Sequence, residues 1–390
     1  MDLFDPKTYA ALRRPLLEAE TLPGECYTSP EFYQREMSNI FLKTWVCIGR
    51  EDFVPKAGDY FVEKLFGASL IVIRGRDKKL RAFVNACRHR GTQMLYGKGN
   101  CMSIACPYHG WVYNLDGSIL VTTFMEQTKS LNPKEYGLVD LKLDTWMGFI
   151  FVNFDPVCEP LKDFLAGLDH YTESYHFEEM KTVGTRDWHF RTNWKIYAES
   201  SSEGIHLPMV HKKTIGHVMS REKAKFEIVD GRPGNFHILR TYSERSRAVL
   251  DGDQGFDRIP TLRGPAADGA QYIYINPFTT LGADLDCMWY KTVVPEGIDK
   301  VRHITGFCFP KFSLERPDTE AIMKNYMKRF PLVIEEDGVI TEKQWDGLSN
   351  PHAKPGRFAA GELGVWLFDN WVVDRVVGKS PVTQMKKVAA

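Results

Sequence analysis

Residues Asn85–Trp111 read NACRHRGTQMLYGKGNCMSIACPYHGW and contain two pairs of metal-binding side chains, Cys87-Arg88-His89 and Cys106-Pro107-Tyr108-His109. Sixteen residues separate His89 from Cys106, so the spacing is C-x-H-x16-C-x2-H. Each pair puts one thiolate and one imidazole at the tip of a loop, and two such loops can close on a single inorganic centre. A set of two Cys and two His is also a zinc set, but zinc fingers usually pair Cys with Cys and His with His, in the order C-x2–4-C…H-x3–5-H. Here each loop mixes the two types.

The mixed order resembles the cluster-binding motif of Rieske [2Fe–2S] proteins, in which two Cys hold one iron and two His the other. The neighbours His89-Arg90-Gly91 and Tyr108-His109-Gly110-Trp111 follow the same pattern, which zinc would not require. The resemblance implies that Cys87, His89, Cys106 and His109 hold the cluster. Neutral imidazoles leave it with less negative charge, and a higher potential, than an all-thiolate cluster.

Outward from these loops the pattern is β-like. Upstream lie the short runs TWVCIG, DYFVEKLF, SLIVIRG and LRAFVNA, punctuated by turns at Gly58-Asp59 and Arg76-Asp77. Downstream, GWVYNL and SILVTTF are joined by Asp116-Gly117, a hairpin signal, and WMGFIFVNFD (146–155) closes the section. A small all-β domain is expected over 42–157. Residues 1–41 read as helical, with Ser29 capping and Pro30 in the first turn of one helix.

From 158 to 390 helical and strand-like runs mix. LKDFLAGLDHYTESY reads as helix, and RDWHFRTNWKIYAES as a strand running into a helix. The stretch 212–270 reads as irregular. Strands return at QYIYINPFTTLGADL, DCMWYKTVVPE and RHITGFCFPKF, and two helices finish the chain, one running past Pro331. The expected class is α+β, an antiparallel sheet flanked by helices, with the first 41 residues packing on this second domain.

Lys plus Arg (50) equals Asp plus Glu (50), so no net field points to nucleic acid or an anionic membrane. No stretch approaches the ~18 consecutive apolar residues of a membrane helix, and the early acidic residues do not read as a secretory signal. The expected location is cytoplasmic. Of the eight cysteines, the six outside the cluster loops have no metal-like spacing and read as small buried side chains.

The stretch NWKIYAESSSEGIHLPMVHKKT (193–214) is the second place where chemistry can sit, with Glu203-x2-His206-x4-His211. Glu203 and His206, three apart, can share a helix face. His206 and His211 cannot both face one metal from a straight helix, so a break is expected around Leu207-Pro208. Two His plus a carboxylate, with open positions opposite, is the arrangement of non-haem Fe(II) oxygenases. On its own, E-x2-H-x4-H equally describes two histidines on a solvated helix.

The two motifs together resemble the terminal oxygenase (α) subunit of Rieske non-haem iron oxygenases, the family of aromatic-ring-hydroxylating dioxygenases and related monooxygenases and demethylases. The resemblance implies a catalytic domain of helix-grip type, with mononuclear Fe(II) on His206 and His211. Glu203 stands where the family has an acidic bridge, more often Asp, between an iron-ligating His and a cluster His. In the family's head-to-tail trimer that bridge would join His206 to His109 of a neighbouring copy. Ile334–Gln344 (IEEDGVITEKQ) resembles the family's ED…E..Q segment, which implies Asp337 as the third ligand, with Glu336 as competitor. Asn193 is placed near the iron by the resemblance and reads equally as a helix cap.

The implied activity is O2 activation with electrons delivered singly by the cluster. The chain carries no G-x-G-x-x-G fingerprint and no plant-type ferredoxin motif, so a separate NAD(P)H-dependent reductase, with or without a ferredoxin, is expected as partner. Aromatic ring hydroxylation is the first expectation for the substrate. A Rieske monooxygenase acting on a quaternary amine or an O- or N-methyl compound is the alternative, since aromatic side chains suit a flat ring and a trimethylammonium group equally. A Rieske electron carrier without catalysis is the rival of a different class.

Overall fold

The computed structural model describes residues 1–216, 228–230 and 235–378. The chain forms two compact units, one of residues 42–164 and 177–182, the other of 1–41, 165–176 and 183 onward. No helix among the described residues is long and apolar enough to cross a membrane.

The first unit is built from β1 (Val46–Arg50), β2 (Asp59–Leu65), β3 (Ala68–Arg74), β4 (Leu80–Val84), β5 (Lys98–Asn100), β6 (Ile104–Ala105), β7 (Val112–Tyr113), β8 (Ile119–Val121), β9 (Asp140–Trp146) and β10 (Phe149–Asn153). The large sheet runs β1-β10-β9-β4-β3-β2-β5, and β6-β7-β8 form a small one. The unbroken apolar run Leu70–Ile73 is wholly buried, as expected for a central strand covered on both faces. Asp116-Gly117 makes the expected hairpin: Gly117 takes φ +84, where only glycine is unstrained, and Asp116 Oδ1 accepts from Ser118 N at 2.9 Å. Ile71, Ile73, Phe83, Ile104, Trp111 and Tyr113 form one apolar cluster, and Cys87 and Cys106 are part of it.

The second unit holds all but the first two residues of β11 (Lys181–Phe190), and β12 (Ile228–Asp230), β13 (Phe236–Tyr242), β14 (Gly269–Ile275), β15 (Thr279–Ala283), β16 (Met288–Gly297) and β17 (Lys300–Phe309). Their order is β11-β17-β16-β15-β14-β13-β12, with every pair from β12 to β17 antiparallel. Around this sheet lie α1 (Pro30–Glu36), α2 (Trp194–Ser201), α3 (Leu207–Val210), α4 (Thr319–Leu348) and α5 (Leu363–Val376). The class is α+β, as the patterning implied.

Three local expectations need correction. Residues 1–41 are helical, but in pieces: short turns come first, and the one longer run is α1, started by Ser29 Oγ accepting from Phe32 N at 3.1 Å and continued by a π-helical turn, Met37–Phe41. Residues 161–175 break into single turns. The irregular stretch 212–270 contains β13, whose FHILRTY pairs in full register with β14; part of that stretch lies outside the described residues.

α1 is tied to α2 by a fully buried ion pair, Lys195 Nζ to Glu36 Oε1 at 2.6 Å, with Trp194 Nε1 donating to the other oxygen at 3.0 Å. Two buried charges need such satisfaction, because an unpaired one is costly.

Candidate active site

Both cluster loops have the same backbone construction. Cys87 N donates to Thr92 O at 2.9 Å and Gly91 N to Cys87 O at 2.8 Å; Cys106 N donates to Trp111 O at 2.7 Å and Gly110 N to Cys106 O at 3.1 Å. In each loop a glycine four residues after the cysteine is left-handed, Gly91 at φ +76 and Gly110 at φ +72. The backbone therefore reverses behind each cysteine and brings its histidine alongside. The His89 and His109 ring centroids stand 4.6 Å apart, and Trp111 stacks on His89 at 5.0 Å. Tyr113 Oη lies 3.2 Å from Cys87 Sγ and accepts from Arg88 N at 2.9 Å. Burial pushes the Cys87 thiol up, and Tyr113 partly offsets this. Both cysteines are buried, and His89 Nδ1 is buried without a hydrogen-bond partner. Two sulfurs and two imidazoles, one with an unpaired buried nitrogen, fit a [2Fe–2S] cluster.

In the second unit, His206, His211 and Asp337 each offer a ligand atom, and these atoms lie within 4.8 Å of one another. His211 Nε2 is 2.9 Å and His206 Nε2 3.7 Å from Asp337 Oδ1. The chain break that allows this differs from the expected one. α2 stops at Ser201, residues 202–206 turn, and α3 is a single turn with His206 before it and His211 after it. Pro208 sits within the first turn of α3, where its missing N–H costs nothing.

A carboxylate locks each imidazole from behind. Glu203 Oε1 is 2.5 Å from His206 Nδ1, and its other oxygen accepts from the backbone N–H groups of Ile205 and His206. Glu336 Oε2 is 2.7 Å from His211 Nδ1 and accepts from Thr214 Oγ1 at 2.6 Å. With Nδ1 engaged, Nε2 of both rings is left for a metal. The geometry thus separates the two competing carboxylates: Asp337 faces Nε2, and Glu336 holds the back of His211. Spacing alone could not rank them. Burial lowers the pKa of His211, but Asp337 and Glu336 outweigh this and raise it; burial raises that of Asp337, but His211 outweighs this and lowers it.

Asn193 has the helix-cap role that the sequence equally offered. It is wholly buried and caps α2, its Oδ1 accepting from Lys195 N at 3.1 Å and Lys195 Nζ at 2.9 Å. Its Nδ2 donates to Tyr27 O and Ile298 O. The side chain is spent on positioning α2.

Beside the triad lies a cavity of about 110 Å³. One wall is the sheet: Tyr272 on β14, Thr280 on β15, Trp289 and Lys291 on β16, and His303 and Thr305 on β17. These are alternate residues in register, Lys291 opposite both Thr280 and Thr305, so they share one face. Gly282 has no side chain to obstruct the Trp289 indole, which a Cβ there would meet at 2.0 Å. The other wall is α4, with Arg329, Phe330, Val333, Ile334 and Asp337. Burial pulls the Lys291 ammonium down to about 8. No local sequence pattern marks these sheet residues, because only strand register brings them together.

Residues 44–132 match the Rieske [2Fe-2S] domain, and residues 177–378 match the ring hydroxylating alpha subunit (catalytic domain). The chain belongs to the ring hydroxylating alpha subunit family. It is a Rieske-type oxygenase that uses a [2Fe–2S] cluster, a mononuclear iron and O2. The oxygenase is 28% identical over 374 residues to the chloroplastic choline monooxygenase of Atriplex hortensis, covering 92% of this chain and 79% of that one. It is 33% identical over 197 residues to the carnitine monooxygenase oxygenase subunit of Escherichia coli (strain K12), covering 50% and 53%. In fold it is similar to the quaternary ammonium Rieske monooxygenase CntA in complex with L-carnitine (TM-score 0.75, 22% identity, 92% of this chain and 96% of that chain). It is also similar to naphthalene 1,2-dioxygenase from Rhodococcus sp. bound to indole (TM-score 0.75, 20% identity, 93% and 95%).

Proposed function

We propose that this oxygenase is a monooxygenase of quaternary ammonium compounds. The observation that carries the reading is a set of three rings on the cavity beside the triad: Tyr272 and Trp289 with centroids 6.1 Å apart, and Trp289 and Phe330 5.9 Å apart. Rings arranged in this way attract a methylated ammonium through their faces. The relatives named for choline and carnitine oxidation support the same class. Aromatic ring hydroxylation, the first expectation from sequence, becomes the second reading.

In this reading His206, His211 and Asp337 hold the iron, and Cys87, His89, Cys106 and His109 hold the cluster. The iron, when bound, supplies O2 activation. The chain's own residues do the rest: Glu203 and Glu336 hold the imidazoles in the Nε2-facing orientation, and the three rings present a methyl or methylene next to nitrogen to the triad. One C–H bond becomes C–OH, and the second oxygen atom leaves as water with two protons and two electrons. A separate reductase, with or without a ferredoxin, delivers those electrons. The oxygenase works as a head-to-tail homotrimer in which Glu203 links His206 to His109 of a neighbouring copy.

The test is product mass from cells co-expressing the chain with a compatible reductase and fed aromatic acids, aryl methyl ethers and trimethylammonium compounds. Gain of one oxygen, or loss of a methyl or amine fragment, on a trimethylammonium compound is the expected result. Gain of two oxygens and two hydrogens on an aromatic ring would overturn the reading.

A further inference from the structure

We propose that Lys291 and Arg329 bind a carboxylate of the substrate, so that the compound taken is a zwitterion rather than a simple cation. The inference rests on the quaternary-ammonium reading and adds the second charge.

Lys291 projects from β16 two residues beyond Trp289, so both stand on the cavity face. Arg329 precedes Phe330 on α4, its guanidinium 4.7 Å from that ring's centroid. Each cation is therefore sequence-adjacent or strand-adjacent to a ring of the proposed cage. Both side chains are buried, at 8% and 4% exposure. Among the described residues neither lies within ion-pairing distance of a carboxylate: Asp337 acts on both, and Asp284 on Arg329, only from further off, and Arg329 Nε is buried without a hydrogen-bond partner.

Buried cations are ordinarily paired, because removing an ammonium or guanidinium from water is costly unless a partner compensates. The two carboxylates of the cavity are engaged elsewhere: Asp337 faces the imidazole Nε2 atoms, and Glu203 holds His206. A divalent iron would add positive charge that Asp337 only half neutralises. A bare trimethylammonium cation would enter against like charges. A substrate carrying its own carboxylate supplies the missing partner for Lys291 and Arg329 and leaves its ammonium to the rings. Arg329 provides the planar donor fork that carboxylates accept from most readily.

The experiment measures Kd by calorimetry, and KM and kcat with a reductase, for ω-trimethylammonio carboxylates of increasing chain length and for the matching ω-trimethylammonio alcohols. Benzoate serves as an aromatic acid. The wild type is expected to favour the carboxylates, and Lys291→Gln and Arg329→Gln each to raise KM and Kd for them roughly 10- to 100-fold. Neither variant should weaken alcohol binding, and Lys291→Arg should restore carboxylate binding. Equal use of alcohols and carboxylates by the wild type would overturn the inference while leaving the quaternary-ammonium reading standing. So would an equal loss of kcat on both series in the variants. Turnover of benzoate alone, with Kd sensitive to Lys291→Gln, would overturn the ammonium reading but retain the carboxylate site.

Discussion

Glu203 and Glu336 hold equivalent positions behind the two imidazoles, yet their expected roles differ. Glu336 is shared between His211 and Thr214, so it only orients a ligand. Residues in that position typically influence metal affinity or activity by about 10- to 100-fold. Glu336→Gln should therefore lower mononuclear iron content and leave the visible spectrum of the cluster unchanged. Glu203→Gln keeps an amide oxygen that can accept from His206 Nδ1, so it should lose no more mononuclear iron than Glu336→Gln and yet stop turnover altogether, the reduced cluster persisting after mixing with O2 and substrate. Wild-type turnover in Glu203→Gln would remove the bridging role. His237 is buried on β13 and stacked on Tyr274 at 5.0 Å, where burial pulls its pKa down to about 4. An unfolded histidine titrates near ~6.5, so between the two values the unfolded chain takes a proton that the folded chain refuses. Stability from this group is complete above about pH 6.5 and declines as pH falls toward 4, with a loss of about 2 kcal/mol by pH 5. His237→Phe should remove that loss. Urea midpoints at pH 7.5 and 5.0 would show it as a smaller drop in the variant than in the wild type.

α4 carries the most function per residue of any element. Its buried face puts Arg329, Phe330, Ile334 and Asp337 along one cavity wall, and Glu336 beside them. Gly338 sets how closely this helix lies to the sheet, since a Cβ there would stand 2.0 Å from the Phe190 ring on β11. Phe190 stacks on Tyr197 at 5.6 Å, and Tyr197 Oη lies 2.8 Å from His303 Nδ1 on the cavity wall. Alanine gains about 1 kcal/mol over glycine in a helix, but overpacking costs about 1–3 kcal/mol, so the clash should dominate. Gly338→Ala should lower the Tm and deplete mononuclear iron while the cluster spectrum persists; an unchanged iron content would show that Phe190 yields instead. This element also shows what sequence could reveal. The cluster loops were legible because their ligands are local and their spacing is itself the geometry. The strands of the first unit announced themselves by short apolar runs and glycine turns. Lys291, Trp289 and Tyr272 carried no such signal, because register between distant strands assembles them. Asp337 and Glu336 are neighbours with the same chemistry, and only the three-dimensional approach of His211 separates them. β13 was hidden by the irregular composition around it.

At the scale of the whole molecule, the cluster loops and the triad fall in separate compact units, and the proposed trimer makes a quantitative claim about how they cooperate. In a head-to-tail ring each cluster serves the iron of the next copy. His109→Ala should abolish turnover by removing a cluster ligand, and Asp337→Ala by removing an iron ligand. Each variant retains what the other lacks. Co-expressed with distinct tags and purified on both, they should form mixed rings in which an intact cluster faces an intact iron at some interfaces. Random assembly from equal amounts makes roughly one interface in four productive, so activity per chain should return to roughly a quarter of wild type before tag selection. Electron transfer confined within one chain would give no recovery at all, because no single chain then has both centres. Size exclusion on each variant alone supplies the control for assembly. Mixed rings that form at the wild-type size and remain inactive would eliminate the inter-subunit route, and with it the bridging role of Glu203.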